Sequence, residues 1–233
     1  VAVEADAAVA GAARERLEQW SADHASPIWP DALARLAELV GDWGALHDVL
    51  LQRAESADRP AQCAESLLEL AALHRRRLGR PDLAVQRYDE VLRIEELPES
   101  ARARALDGLR ELLEEPDAAL AAARALLALA EDDGDDGLRA RCLHVMALEA
   151  PADERCGRWV ALAEVGERVN DRVMTSEALR QAVDTFAVAD VGEDASESFL
   201  QMARRSGDLP LLLGALGAVA GAREETALGQ AAL

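Results

Sequence analysis

The apolar positions of this chain recur at helical spacing almost from end to end. Leu33, Leu36, Ala37 and Val40 fall one to four residues apart, and so do Leu67, Leu70, Ala71 and His74. Such spacing gathers side chains on one face of a helix with 3.6 residues per turn. No window alternates β-branched and polar residues as a half-buried strand would, so the pattern predicts an all-α fold. Leu46, Val49 and Leu50 mark a helix over 43–54, and Ala84, Tyr88, Val91 and Leu92 mark another after residue 81. Leu106, Leu109 and Leu113 lie on a helix over 99–114, and Leu120, Ala123 and Leu127 on one over 117–131. Leu138, Cys142, Val145 and Met146 define 138–149, and Trp159, Leu162 and Val165 define 155–169. Helices over 172–188, 194–206 and 209–220 follow, with Phe186, Phe199 and Met202 as their heavier core members. At the front, Ala8, Ala12, Leu17 and Trp20 line a helix over 2–20.

Polar and breaker residues punctuate these stripes. Ser26-Pro27-Ile28-Trp29-Pro30 interrupts the pattern, because two prolines so close cannot continue a helix, and Trp29 is expected to pack at that reversal. Pro30-Asp31, Pro81-Asp82, Pro98-Glu99 and Pro116-Asp117 each set a proline at a helix start with an acid beside it. Proline's missing N–H costs nothing in the first turn, and the acid complements the positive end of the helix dipole. Residues 131–137, Glu-Asp-Asp-Gly-Asp-Asp-Gly, read as a solvated loop. Short connections of this kind favour stacked antiparallel helix pairs over one long coiled coil.

Residues 60–98 make the clearest unit: two amphipathic helices, a Gly79-Arg80-Pro81-Asp82 turn and a closing proline. Neither helix can bury its stripe alone. Internal matches place the unit in an array. Gly41-Asp42-Trp43-Gly44-Ala45-Leu46 with Val49 matches Gly157-Arg158-Trp159-Val160-Ala161-Leu162 with Val165, and Gly79 and Gly207-Asp208-Leu209 extend the series. A period of about 36–42 residues fits one helical hairpin per unit.

On these residues the chain resembles the tetratricopeptide repeat family. Leu67, Leu70-Ala71 and His74 occupy the first-helix positions, and Ala84, Tyr88, Val91 and Pro98 those of the second. Ala71 stands where the family has Gly, His74 where it has Tyr, and Val91 at a small-residue slot. HEAT-like and armadillo-like pairs share the period. The resemblance implies a right-handed α-solenoid, or superhelix, of five or six antiparallel helix pairs. Its parts are an N-terminal helix and proline-rich connection over 1–30, well-matched hairpins over 31–131, and degenerate hairpins over 132–233, including the stretches around Pro151 and Gly192, that continue the same solenoid.

Composition narrows the partners. The formal net charge is -19, from 44 acidic and 25 basic residues, so the field repels nucleic acid and anionic membrane. Every basic residue is Arg, which reads as GC-rich coding. Cys63, Cys142 and Cys156 are an odd, widely spaced set, which fits core slots in a reducing, cytoplasmic setting. The chain opens on Val, as an excerpt or processed product would. Residues 209–222 are apolar but too short for a membrane span, and read as a packed terminal helix.

Chemistry is sparse. Asp132 and Asp136 have the DDxxD spacing of magnesium-binding isoprenoid synthases, but glycines interrupt the run and aromatics are scarce; a magnesium-dependent helical enzyme is the weaker alternative. An EF-hand fails because Leu143 stands where a bidentate Glu is needed. His24, His47, His74 and His144 lack partners at metal spacing, and no cofactor is expected. Arg75-Arg76-Arg77 is the one dense basic run. In a tetratricopeptide-like groove Arg75 and Arg76, with Arg110 on the next unit, would face an acidic or C-terminal carboxylate segment. The competing reading pairs them with local acids such as Glu69 and Asp82. The expected function is a non-catalytic scaffold for a protein or peptide, or else a regulatory or sensor module of a larger signalling protein. Leu211-Leu212-Leu213 points to a further helix or to self-association through the C-terminal helices.

Overall fold

The computed structural model describes residues 11–12, 19, 28–149, 151–186 and 193–231. The expected helix over 2–20, all but 28–30 of the 26–30 break, His24 and Gly192 lie outside the described residues apart from 11, 12 and 19. The described residues form eleven helices and no strand: α1 (Ile28–Val40), α2 (Trp43–Glu55), α3 (Pro60–Arg76), α4 (Pro81–Leu92), α5 (Glu99–Leu112), α6 (Pro116–Asp133), α7 (Asp136–Glu149), α8 (Ala152–Arg168), α9 (Arg172–Phe186), α10 (Glu193–Arg205) and α11 (Leu209–Ala231). The all-α expectation holds. The chain divides into two units, Val1–Ala118 and Ala119–Leu233.

In the first unit α3 packs against both α2 and α4, and α5 packs on α4 and touches α3. Leu70, Ala71, Ala84, Val91, Leu109 and Leu112 are fully enclosed. A buried Leu contributes roughly 1.5–3 kcal/mol, so these stripes dominate over any surface pair. The second unit has its own core. Leu143, Cys156, Trp159, Val165, Leu179, Phe186, Phe199 and Met202 form one cluster, and the Phe186 and Phe199 rings stack at 5.2 Å. Its strongest pairing is α8 with α9, and α11 packs on α9 and α10.

One turn recurs in both units. Gly41, Gly134, Asn170 and Gly207 take φ of 74°, 67°, 59° and 71°, each followed by Asp. Only glycine, and less often asparagine, adopts that left-handed conformation cheaply. The next residue then serves both helices. The Asp42, Asp135 and Asp171 N–H groups donate to the carbonyls of Ala37, Ala130 and Gly166, closing the helix behind them. The same aspartates cap the helix ahead, Asp42 accepting from Ala45 N–H and Asp135 from Leu138 N–H. Asp171 accepts from Val173 and Met174, and Asp208 from Leu211.

Three expectations need correction. The 131–137 stretch is not one loop: α6 runs to Asp133 and α7 starts at Asp136, because the Gly134-Asp135 turn suffices. The Trp43 and Trp159 copies are not equivalent places. Gly41 and Trp43 straddle the α1–α2 turn, whereas Gly157 and Trp159 lie inside α8. The first described helix begins at Ile28, since Pro30 falls in its first turn where no N–H is needed. The 209–222 helix is packed on one side only: Leu211, Ala215 and Val219 are buried, while Leu209, Leu213 and Leu216 are exposed.

Candidate functional site

The arginine run ends α3, where successive side chains diverge by about 100°. Leu73 and His74 turn inward, and the three arginines take three directions. Arg75 reaches α5 and the turn after it: its Nη1 donates to Glu111 of α5 and its Nε donates to Glu115 Oε1, three residues past the end of that helix, at 2.6 Å. Those hydrogen bonds raise the guanidinium's pKa further and hold the Glu111 carboxyl below its ordinary range. Arg77 lies over the Trp43 ring of α2, 4.7 Å from its centroid, as a cation–π contact. Arg76 is exposed.

The three expected binding residues thus have different surroundings. Arg75 is joined to α5, the helix that carries Arg110. Arg110 itself donates to Asp107 at 3.2 Å on its own helix. Pairing with local acids does occur, but through other acids than expected. Glu69 accepts from Arg53 at 3.5 Å, Asp82 pairs with Arg80 at 3.1 Å, and Arg104 of α5 donates to Glu65 of α3 at 2.6 Å. Burial raises the Glu69 carboxyl, with Arg53 opposing.

His74 fills a core position, 2% exposed, edge-on to His47 with ring centroids 5.2 Å apart. Neither of its ring nitrogens has a hydrogen-bond partner. Burial pushes its pKa down to about 4, helped by His47, Arg87 and Arg80 and opposed by Asp82. It is a neutral core imidazole, like the inert Cys142 and Cys156 thiols, whose pKa burial raises to about 11. Cys63 is half-buried, and all three cysteines are free. His144 sits edge-on to Trp159 at 5.6 Å.

Asp132 is exposed on the last turn of α6, whereas Asp136 accepts from Arg168 of α8 at 2.7 Å. Among the described residues no three His, Cys, Asp or Glu side chains cluster as metal ligands. Nor is any described helix long and apolar enough to cross a membrane.

Sequence reasoning missed one feature of the second unit. Arg124, Leu127, Ala128 and Glu131 of α6, Met146 of α7, and Glu154 and Arg158 of α8 line an open hollow of about 470 Å³. The α6 members recur at i, i+3, i+4 and i+7, which was the available signal. That α8 lies opposite them is a product of packing.

No family model matches the chain, and no curated protein does. Among solved structures it is similar to BtubC (BKLC) from P. vanneervenii, at 17% identity over 99% of this chain and 93% of that one. The TM-score is 0.33, too low to carry an argument about fold or function.

Proposed function

We propose that this protein is a non-catalytic interaction scaffold, a tetratricopeptide-like right-handed solenoid that presents a groove to a protein or peptide segment. The observation that supports it is the recurring helix–turn–helix: four turns with a left-handed residue followed by a capping Asp, at Gly41, Gly134, Asn170 and Gly207. Repeated hairpins that each bury a stripe against neighbours are what an array requires. The step from array to binding function is one of fold analogy. The partner contacts we assign are Arg76 and Arg110 for an acidic or C-terminal carboxylate segment, with Arg75 holding α3 to α5 beneath them. The exposed Leu209, Leu213 and Leu216 support self-association through the C-terminal helices. Three free cysteines fit a cytoplasmic setting.

The test is affinity capture with the wild type and with Arg76→Glu/Arg110→Glu, followed by mass spectrometry. Specific partners lost on charge reversal support the reading. An identical set of partners in the variant removes the groove, and light scattering of a clean monomer removes self-association.

A further inference from the structure

The hollow in the second unit points to a ligand class of its own, independent of the scaffold reading. Arg124 Nη2 and Arg158 Nη2 converge on a single atom, Glu154 Oε2, at 3.7 and 3.6 Å. Both separations exceed hydrogen-bond length, and neither guanidinium makes a hydrogen bond among the described residues. Two forks that make no hydrogen bond among the described residues thus share one carboxylate. Glu131, two turns along α6 from Arg124, is paired with a third arginine, Arg139, at 3.3 Å. Counted together, Arg124, Arg139 and Arg158 face Glu131 and Glu154, an excess of one positive charge in a chain of net charge -19.

The rest of the lining is aliphatic. Met146, 2% exposed, supplies the floor, with half-buried Leu127 and exposed Ala128 beside it. Among the described residues no Asn, Gln, Ser or Thr lines the hollow. A peptide laid across it would find few side-chain partners for its main-chain N–H and C=O groups. A phosphate dianion would set a second negative charge against Glu154 and leave the floor unused. A single negative charge on a hydrocarbon body matches both the rim and the floor, and about 470 Å³ is within the usual range for small-molecule sites.

We propose that this hollow binds an aliphatic monocarboxylate, its carboxylate bridging Arg124 and Arg158 and its hydrocarbon body lying on Met146 and Leu127. Glu154 then acts as an internal placeholder that the ligand displaces from the two guanidiniums.

The chain has three methionines, so methyl-labelled Met gives a direct readout. Sodium decanoate below its micelle concentration should shift the Met146 methyl signal saturably and leave Met174 and Met202 in place. Arg124→Ala and Arg158→Ala should each weaken binding about tenfold. Glu154→Gln should tighten it several-fold, an effect that loss of folding cannot mimic. Three probes accompany decanoate: decanamide, inorganic phosphate, and a short acetylated peptide ending in a free Leu carboxylate. Weak or absent binding of all three supports the assignment. Equal binding of decanamide or of phosphate overturns it, as does tighter binding of the peptide, a weakened Glu154→Gln, or an unmoved Met146 signal.

Discussion

The Tyr88 ring of α4 lies directly against Gly108 of α5, so closely that a Cβ at Gly108 would sit 2.7 Å from both Cε1 and Cε2 of the ring. Tyr88 is 7% exposed and its phenol pKa is raised by burial, so the ring has little room to retreat. Gly108→Ala should therefore destabilise the first unit by about 1–3 kcal/mol, although alanine is the better helix former by about 1 kcal/mol. Gly157, inside α8 with nothing within 4 Å of its Cβ position, is the control. Gly157→Ala should stabilise by about 0.5–1 kcal/mol. Thermal unfolding of both variants checks the pair of signs.

His74 predicts a pH dependence. Its pKa in the folded chain, about 4, lies below the ordinary 6.5, so the unfolded chain binds the extra proton first. Its contribution is complete above 6.5 and falls as pH drops from 6.5 toward 4. The loss over that window amounts to about 3 kcal/mol. His74→Leu keeps an apolar filling and removes two unpartnered ring nitrogens. It should raise stability at neutral pH by about 1 kcal/mol and flatten the slope between pH 6.5 and 4.5. Urea unfolding at several pH values measures both; an unchanged slope counts against a neutral buried imidazole.

Arg75 and Arg76 are neighbours in sequence with opposite expectations. Arg75 of α3 is tied to Glu111 on α5 and to Glu115 in the turn after it, and its side chain is only 20% exposed. Arg75→Ala should cost about 1–2 kcal/mol, less in high salt because Glu111 is open to solvent. Arg76→Ala should change stability by less than about 0.5 kcal/mol. Denaturant midpoints at low and high salt distinguish them. If both variants behave alike, the Arg75 fork does not hold α3 to α5.

Much of the helical plan was legible because helix starts carry their own chemistry. Pro81 and Pro116 open α4 and α6, Pro98 immediately precedes α5, and the Leu70-Ala71-His74 stripe is buried as its spacing required. The tryptophan motif misled because a shared run of residue types does not fix whether a glycine sits in a turn or within a helix. Gly157 has no positive φ, and Gly41 does. The direction of each arginine was also hidden, because it depends on which helix packs alongside. Arg75 meets Glu111 36 residues away, and no local spacing announces that. The hollow at Arg124 and Arg158 is hidden for the same reason.

The turn at Asn170 gives the sharpest local test, since it does with asparagine what Gly41, Gly134 and Gly207 do with glycine. Asn170 holds φ of 59°, a conformation that costs a side-chain-bearing residue about 1 kcal/mol or more and asparagine somewhat less. Asn170→Gly should therefore leave stability unchanged or raise it by a few tenths of a kcal/mol, whereas Asn170→Val should lower it by about 1–2 kcal/mol. Asp171 beside it caps α9 through two N–H groups, those of Val173 and Met174, both at 3.0 Å. Asp171→Ala should cost about 1 kcal/mol, and Asp171→Asn, which keeps the accepting oxygen, clearly less. If the turn is the joint of the α8–α9 hairpin, hydrogen exchange in Asp171→Ala should quicken first at Val173 and Met174. Uniform acceleration across the second unit would instead mean that the cap acts only through global stability.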